Sequence, residues 1–245
     1  MTRRDHHAAT TGPQLVWTRP APLERAQPPL SRSQIVKAAI AVADGEGLEA
    51  VTMRRIAAAL GSGTASLYWH VPSKQDLYEL MFDEYIGEFL SEARVPKHPS
   101  RDWRTDLREV WLEARRAMQR HPWVPQLGIQ LGLGPRSLRN YAFMTSILDG
   151  LGLDDETVVM IPAVLVNYVM GFAQNDAALA EAQQRSGQTS QEWAQGMADY
   201  VSGALVDDPR AARLVAKRMT LSRDRAFEFG LDCLLDGIAA RLSGR

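Results

Sequence analysis

Apolar residues recur every three or four positions along most of this chain, which is the spacing of one face of an α-helix. The face is clearest in the segment 102–120, where it consists of Leu107, Val110, Trp111, Ala114 and Met118. No run of residues alternates between apolar and polar as a half-buried strand does. The sequence therefore predicts an all-α protein.

Capping residues, glycines and prolines divide this pattern into separate helices. Ser31 or Ser33 can cap the first helix, which Gly45 and Gly47 end, and Pro72 separates the third helix from the fourth. The predicted helices cover residues 31–45, 52–60, 64–71, 73–93, 102–120, 135–151, 154–182, 190–205 and 223–242, with shorter pieces at 124–131 and 209–218.

The segment 52–74, TMRRIAAALGSGTASLYWHVPSK, holds two short helices joined by a glycine turn. Thr52 caps the first, and Gly61 can adopt the left-handed conformation that ends it. The second carries Tyr68-Trp69-His70, three successive residues that cannot all face one core. This layout is typical of a helix-turn-helix that lays its second helix in the DNA major groove.

Outward-facing polar, basic and aromatic side chains of these helices are candidate DNA contacts. Leu67 is the expected inward anchor, Arg54 suits bidentate contact to guanine, and Lys74 suits a phosphate. The candidates are Thr52, Arg54, Arg55, Thr64, Ala65, Ser66, Tyr68, Trp69, His70 and Lys74. The alternative is that the aromatic residues only pack a small helical core.

The apolar residues after position 88 either line a small-molecule cavity or simply pack a core. A largely apolar cavity with a few polar anchors is what a small-molecule site needs. The candidate effector-pocket residues are Leu90, Trp103, Leu107, Val110, Trp111, Ala114, Met118, Leu127, Phe143, Ile147, Asn167, Met170 and Gln174.

The segment 158–172 is apolar on every side, so a helix there must be buried on more than one face. One face could line the cavity and another could contact a partner subunit. The helix 223–242 is a second candidate for the dimer contact. The candidate dimer contacts are Val158, Leu165, Phe172, Phe227, Leu231, Leu234, Leu235 and Ile238.

Charge is distributed unevenly over a chain of 245 residues with a net charge of −1. Residues 1–75 hold nine Lys and Arg against five Asp and Glu, whereas the remainder holds nineteen against twenty-four. A basic front on an acidic body suits a protein that meets phosphate at one end only, although chance could produce the same asymmetry.

The single cysteine, Cys233, allows no disulfide framework within the chain, and we expect a buried, inert thiol in a reducing cytoplasm. The N-terminus lacks the apolar core of a signal peptide. The apolar stretch 158–172 falls short of the roughly 20 residues that span a bilayer. We therefore expect a soluble, cytoplasmic protein.

Prolines mark two boundaries along the chain. They predict a flexible Pro-rich arm at 1–30, a helix-turn-helix domain with its connecting helix at 31–93, and an effector-binding and dimerisation domain at 100–245. The arginines of the arm could touch DNA, or the arm could be a solvated tail or the product of a misplaced start codon.

Residues 31–90 resemble the DNA-binding domain of tetracycline-repressor-like (TetR) regulators, in the strings IVKAAIAVADGEGLEAVTMRRIAAALG and TASLYWHVPSKQDL. The later part resembles the effector domain of the tetracycline repressor, in DWRTDLREVWLEARRAMQRHPWV and FEFGLDCLLDGI. The resemblance implies an all-helical homodimer that represses transcription and leaves DNA when a small molecule binds. It also implies DNA contacts at Thr52, Arg54, Ser66, Tyr68 and Lys74.

The resemblance further implies that the helices at 158–172 and 223–242 pair with their symmetry mates as a four-helix bundle. A two-fold dimer would meet double-stranded operator half-sites about 34–36 Å apart. Tetracycline-responsive members use a metal-binding histidine and polar drug contacts. Leu90, Val110 and Leu127 lie near those positions here, so we expect no metal or other cofactor and a largely apolar effector.

Two other functional classes remain open at this point. A helical adaptor could bind a protein through the same exposed aromatic residues, but only DNA binding should weaken steeply with salt. A helical enzyme is the least favoured class, because the sequence holds no glycine-rich phosphate loop, nucleophile elbow or HExxH motif.

Overall fold

The computed structural model describes residues 30–92, 95–127 and 133–243, and within these ranges every regular element is helical. The α-helices are α1 (Arg32–Glu46), α2 (Met53–Ala59), α3 (Thr64–His70), α4 (Lys74–Ser91), α5 (Trp103–Arg120), α6 (Val124–Leu127), α7 (Pro135–Ser146), α8 (Asp155–Ser186), α9 (Ser190–Ala204), α10 (Pro209–Met219) and α11 (Arg223–Ser243). The predicted all-α class is confirmed. The predicted arm lies outside the described residues, except for Leu30, which is buried.

Side-chain caps start three of the four helices of the N-terminal head, α1–α4, and the exception is α3, which begins after Gly63. The Ser31 hydroxyl accepts from the Gln34 backbone N–H at 3.2 Å, and the Gln34 side chain accepts from the Ser31 N–H at 2.8 Å. This reciprocal pair is a capping box. Thr52 caps α2 and Ser73 caps α4 through single bonds of 3.1 and 3.0 Å. The predicted starts of these helices are confirmed.

One continuous apolar core runs from the head into the body, which comprises α5–α11. In the head, Ile35, Ile56 and Leu67 have no exposed surface. Each such side chain stabilises the fold by roughly 1.5–3 kcal/mol relative to its exposed state. Leu67 is therefore the inward anchor of α3, as its spacing predicts.

An interhelical cap joins α4 to α7. Gly134 has no side chain to cap α7, and the buried Asp83 carboxylate of α4 accepts from the N–H groups of Arg136 and Ser137 at 2.9 and 3.0 Å. A Cβ on Gly134 would collide with that carboxylate, and one on Gly87 of α4 would collide with the Arg136 side chain. Glycine at both positions lets the two helices approach closely.

Two helix ends in the body differ from the predicted ones. The helix α7 stops at Ser146, since a turn follows in which Gly150 and Gly152 adopt positive φ angles of 76° and 70°. The helix α8 continues past the predicted end at 182 as far as Ser186, and Gly187, with a φ of 66°, follows as its C-cap. The predicted 124–131 piece is observed as α6, and residues 128–132 lie outside the described ranges.

The helix α8 is, within the described ranges, the one helix long and apolar enough to cross a membrane by length and composition. Only 33% of its most apolar 18-residue window is buried inside the chain. It nevertheless packs against α5, α7 and α11, and Leu165 and Val169 on its inner face are buried in the core. The helix therefore has one face in the core and a second apolar face that its own chain leaves uncovered.

Candidate DNA-binding face and effector cavity

The candidate DNA contacts lie together on the outer face of α2 and α3 and at the start of α4. Tyr68 and Trp69 are 49% and 66% exposed. Thr52, Arg54, Arg55, Ala65, Ser66 and Lys74 are also exposed, and Thr64 and His70 are partly exposed. A core role for the two aromatic side chains does not agree with this exposure.

The two neighbouring arginines of α2 differ in their surroundings. Arg55 donates from Nε to Glu46 at the end of α1 at 3.1 Å, and this hydrogen bond lowers the pKa of Glu46. Arg54 makes no ion pair within the described residues. In the free protein, Arg54 is therefore the arginine whose guanidinium is available for a base edge.

Two contacts lie on either side of the turn that joins α3 to α4. Arg32 of α1 donates to the carbonyl of His70 at 3.2 Å and so ties the end of α3 to the first helix. The Lys74 ammonium lies 5.2 Å from the centre of the Tyr78 ring, one turn further along α4. The C-terminal end of α3 is therefore held against α1 through Arg32.

A cavity of about 320 Å³ lies between α4, α5, α7 and α8. We call it the effector cavity. It is lined by Phe82, Tyr85, Ile86, Phe89, Val110, Trp111, Ala114, Met118, Ser137, Asn140, Tyr141, Met144, Val159, Pro162, Ala163, Val166 and Met170. Five of the sequence-predicted pocket residues are among them, namely Val110, Trp111, Ala114, Met118 and Met170.

Eight predicted pocket residues do not line this cavity. They are Leu90, Trp103, Leu107, Leu127, Phe143, Ile147, Asn167 and Gln174. Leu107 and Ile147 are buried in solid core, and Asn167 is exposed and donates to the Ala163 carbonyl of its own helix at 2.8 Å. Gln174 is also exposed and donates to the Pro125 carbonyl at 3.3 Å. Helical spacing identifies an apolar face, but it does not locate the gap between faces.

The sequence prediction named Leu90 of α4 and Phe143 of α7, but it left out the residues of these two helices that line the cavity. Phe82, Tyr85 and Phe89 form an aromatic row at helical spacing on α4, which could have signalled a cavity wall. Asn140 and Tyr141 of α7 carried no such signal. Because α4 begins beside α3, one helix contributes to both the head and the cavity wall.

Two buried polar atoms on residues of the cavity wall have no hydrogen-bond partner among the described residues. They are the indole nitrogen of Trp111 and the carboxamide oxygen of Asn140. Buried polar groups are nearly always satisfied, so such atoms call for an explanation. Of the other lining residues with polar atoms, Ser137 is already hydrogen-bonded to Asp83 at 3.3 Å, and Tyr85 and Tyr141 carry hydroxyl groups.

A buried histidine joins the head to the body where α5 ends. His121 Nδ1 lies 2.8 Å from Asp44 of α1, and its Nε2 lies 3.3 Å from Glu88 of α4. The Trp123 indole N–H donates to the same Asp44 oxygen at 2.6 Å. The Tyr85 ring packs edge-on against both His121 and Trp123, with centroids 5.9 and 6.4 Å apart. We call these five residues the His121 joint.

Comparison with known proteins finds two families that match successive parts of the chain. Residues 35–81 match the family described as bacterial regulatory proteins, tetR family, and residues 95–242 match the tetracyclin repressor-like C-terminal domain. The second match alone covers more than half of the chain. The chain belongs to the TetR family.

Individual TetR-family proteins are similar over most of their length. The HTH-type transcriptional repressor DrrR1 of Streptomyces coeruleorubidus is 31% identical over 95% of this chain and 86% of its own. The class E tetracycline repressor of Escherichia coli is 28% identical over 87% of this chain and 92% of its own. The structure of ActR from Streptomyces coelicolor in complex with actinorhodin has a TM-score of 0.72 at 28% identity, covering 88% of this chain and 99% of ActR.

Membership of the TetR family decides between the classes that the sequence left open. The chain is a DNA-binding, ligand-responsive transcriptional repressor and not an enzyme. It is a soluble protein that acts on DNA. Among the described residues of this TetR-family chain, no group of three or more His, Cys, Asp or Glu side chains is placed to hold a metal ion.

Four predicted dimer contacts are turned into the chain's own core. Leu165 of α8 and Phe227, Leu231 and Leu235 of α11 have no exposed surface, so they cannot bury area against a partner. This corrects the prediction for these four; Val158, Phe172, Leu234 and Ile238 are partly exposed. Helical spacing alone does not say which of two apolar seams faces inward.

The outward seam of the same helices carries other residues. Met160 and Val164 of α8 are about half exposed, and Phe229 of α11 is 73% exposed. Cys233, expected to be buried, is exposed one turn beyond Phe229. We call these four residues the outer seam.

A second, wider cavity of about 850 Å³ lies among α5, α8, α9, α10 and α11. Its buried cation, Arg115, is already neutralised by Asp176 at 2.6 Å and Asp224 at 3.0 Å. The same guanidinium lies over the rings of Phe172 and Phe227, 4.7 and 4.9 Å from their centres. The charge of Arg115 is therefore compensated by its own neighbours. The two buried polar atoms on the wall of the effector cavity, in contrast, have no hydrogen-bond partner among the described residues.

Proposed function

We propose that this repressor binds its operator as a two-fold homodimer and releases it when a largely apolar small molecule fills the effector cavity. The observation that carries the proposal is the double role of α4. Lys74, at the start of α4, follows α3, which is the proposed recognition helix. Phe82, Tyr85 and Phe89, further along α4, form a cavity wall. A ligand that displaces this wall would move α4, the helix of the head that follows α3.

We assign DNA reading to the α2–α3 face of the proposed 31–93 head. Arg54 is the candidate for a bidentate contact to guanine, and Thr52, Ser66, Tyr68 and Lys74 are candidates for base edges or phosphates. Arg55 is the weaker candidate, because it would first have to leave Glu46.

The outer seam supports a dimer formed by α8 and α11 of the proposed 100–245 body. Only a third of the apolar window of α8 is buried inside its own chain, and Phe229 adds a large exposed ring on α11. A second copy would cover both surfaces, and its two-fold axis would set two recognition helices about 34–36 Å apart. Since the target is DNA, we place the working protein in the cytoplasm.

We assign the transmission of the ligand signal to the His121 joint. Tyr85 belongs both to the cavity wall and to the joint, where its ring touches His121 and Trp123. These two side chains hold Asp44 in the last turn of α1. A ligand that shifts Tyr85 therefore disturbs both α1, which is hydrogen-bonded to the end of α3 through Arg32, and α4, which follows α3 in the chain.

ActR, one of the structural relatives, has been crystallised with actinorhodin, which supports a small-molecule effector for the proposed cavity. The test has two parts. Selection from random duplex DNA should yield a site with two-fold symmetry, and a compound that stabilises the protein against heat should release that DNA. Recovery of sites without symmetry, or stabilising compounds that never release DNA, would contradict the proposal.

A further inference from the structure

We infer that the effector is an uncharged aromatic molecule that carries a hydroxyl group and, at a separate position, a hydrogen-bond acceptor such as a carbonyl. The inference rests on the proposed role of the effector cavity and specifies the chemistry of its ligand. It is drawn from three properties of the cavity wall, namely its charge, its shape-determining side chains and its open polar atoms.

The wall has no charged side chain among the described residues that line it. A charged ligand group placed there would lose its hydration and gain no counter-charge, which is far more costly than burying a neutral group. This separates the effector cavity from the second cavity, where Arg115, Asp176 and Asp224 line the surface. An ionised effector is therefore disfavoured in the first cavity.

Five of the lining residues are aromatic, namely Phe82, Tyr85, Phe89, Trp111 and Tyr141. Aromatic rings prefer offset-stacked or edge-to-face partners, so walls of this kind select flat ring systems. The volume of about 320 Å³ lies near the lower end of the range for ligand pockets, roughly 300–1,000 Å³. One or two fused rings with short substituents suit such a space.

The two open atoms define the polar groups of the ligand. An indole nitrogen can only donate, so the ligand must offer an acceptor to Trp111. Asn140 can present its oxygen or, after rotation of the amide, its NH₂ group. A hydroxyl group suits both orientations, because it donates and accepts. Leaving either atom unsatisfied in a closed complex should weaken binding by roughly tenfold.

A matched series of naphthalenes tests the inference by calorimetry on the free protein. The full probe is 6-acetyl-2-naphthol, which has both groups. In 6-ethyl-2-naphthol the carbonyl is removed, in 2-acetyl-6-methylnaphthalene a methyl group replaces the hydroxyl, and 6-hydroxy-2-naphthoate carries a charge. We expect the full probe to bind about tenfold more tightly than either trimmed compound, and the carboxylate to bind weakest.

Two variants assign each preference to its residue. Trp111→Phe keeps a ring but removes the N–H, so it should abolish the preference for the carbonyl and leave the preference for the hydroxyl. Asn140→Leu should do the reverse. Trp193→Phe, the same exchange in the second cavity, is the control and should change neither preference.

The inference is overturned if the carboxylate binds as tightly as the full probe, if both preferences survive in both variants, or if none of the four compounds binds. Release of operator DNA is measured separately. Tight, variant-sensitive binding without release would contradict the proposed function while leaving the ligand chemistry intact. Release of the operator by a compound outside this chemical class would contradict the inferred ligand chemistry while leaving the proposed function intact.

Discussion

Single residues in this protein derive their roles from the atoms that face them rather than from their type. Arg54 and Arg55 are neighbours with the same side chain, yet one is paired with Glu46 and the other has no ion-pair partner in the described ranges. The same holds for glycines. Gly45 faces open space, whereas Gly134 faces the carboxylate that caps α7. These pairs of like residues offer matched tests.

The first such test concerns DNA reading. We expect Arg54→Ala to relax the preference at one base position of the operator and to cost about 1–3 kcal/mol on the specific site, because a bidentate base contact is lost. Arg55→Ala is the matched control and should leave base preference unchanged. Binding is measured on the operator and on single-base variants. An equal loss on specific and random DNA would show that Arg54 does not read a base.

Lys74→Ala should instead weaken binding to all sequences alike, since a phosphate contact carries no sequence information. The slope of the logarithm of affinity against the logarithm of salt concentration should become shallower by about one. Titrations at several salt concentrations measure it. Lys37→Ala, an exposed lysine of α1, serves as the comparison. A slope that does not change would remove Lys74 from the set of phosphate contacts.

The glycine test concerns stability. We expect Gly134→Ala to lower the free energy of unfolding by about 1–3 kcal/mol, because the new methyl group must displace the Asp83 carboxylate. Gly45→Ala, in the open last turn of α1, should be neutral or stabilising by about 0.5–1 kcal/mol. Urea denaturation gives both values. A Gly134 variant as stable as the parent would mean that the cap of α7 tolerates the shift.

At the scale of elements, α4 links the parts of the molecule. It is capped beside the recognition helix, caps α7 through Asp83, and contributes Tyr85 to both the cavity wall and the His121 joint. A helix with contacts of this kind at several points along its length can transmit a displacement at one of them to the others. Coupling between two ligands arises when both bias the same element.

The element scale is also where sequence-based prediction succeeds and fails. Helix starts were predictable because a cap such as Thr52 acts within three residues along the chain. The lining of the cavity was predictable only in part, because the position of a gap depends on how four helices pack against one another. Leu107 and Val110 share an apolar face, but only Val110 reaches the gap. Cys233 sits in an apolar stretch yet is exposed, since the second face of α11 is left uncovered by its own chain.

Loosening the His121 joint should uncouple ligand binding from DNA release. We expect Trp123→Phe, which removes the 2.6 Å bond to Asp44, to leave ligand affinity of the free protein nearly unchanged and to reduce the ligand's effect on operator affinity. The parent coupling should amount to roughly 1–3 kcal/mol, and the variant should lose a measurable part of it. Operator titrations with and without ligand give the coupling directly.

The exchange Trp193→Phe is the control for the joint, because it makes the same chemical change on α9, away from the joint. By reciprocity, the variant that weakens the effect of ligand on DNA must weaken the effect of DNA on ligand equally. Full coupling in the Trp123 variant would mean that the signal reaches the head through α4 alone.

The whole molecule divides its surface between two kinds of contact. The α2–α3 face exposes polar, basic and aromatic groups suited to phosphates and base edges. The outer seam instead exposes the large apolar side chains of Met160, Val164 and Phe229. Exposed large apolar side chains of this kind, where they form a patch, mark an interaction site. The longest helix of the chain is therefore apolar on both sides for two reasons, the core on one side and the proposed partner copy on the other.

The dimer prediction follows from this division. A glutamate in place of Phe229 would place two charges close to the two-fold axis in an apolar contact, so we expect Phe229→Glu to shift the protein to a monomer in sedimentation experiments. Operator affinity should then fall steeply, because each head alone reads only one half-site. Tyr200→Glu is the control: Tyr200 is 70% exposed on α9, away from the seam, and its replacement should leave both the dimer and the operator affinity intact. If the Phe229 variant stayed dimeric and bound the operator normally, the subunits would have to meet through a different surface, and the spacing of the two recognition helices would need another explanation.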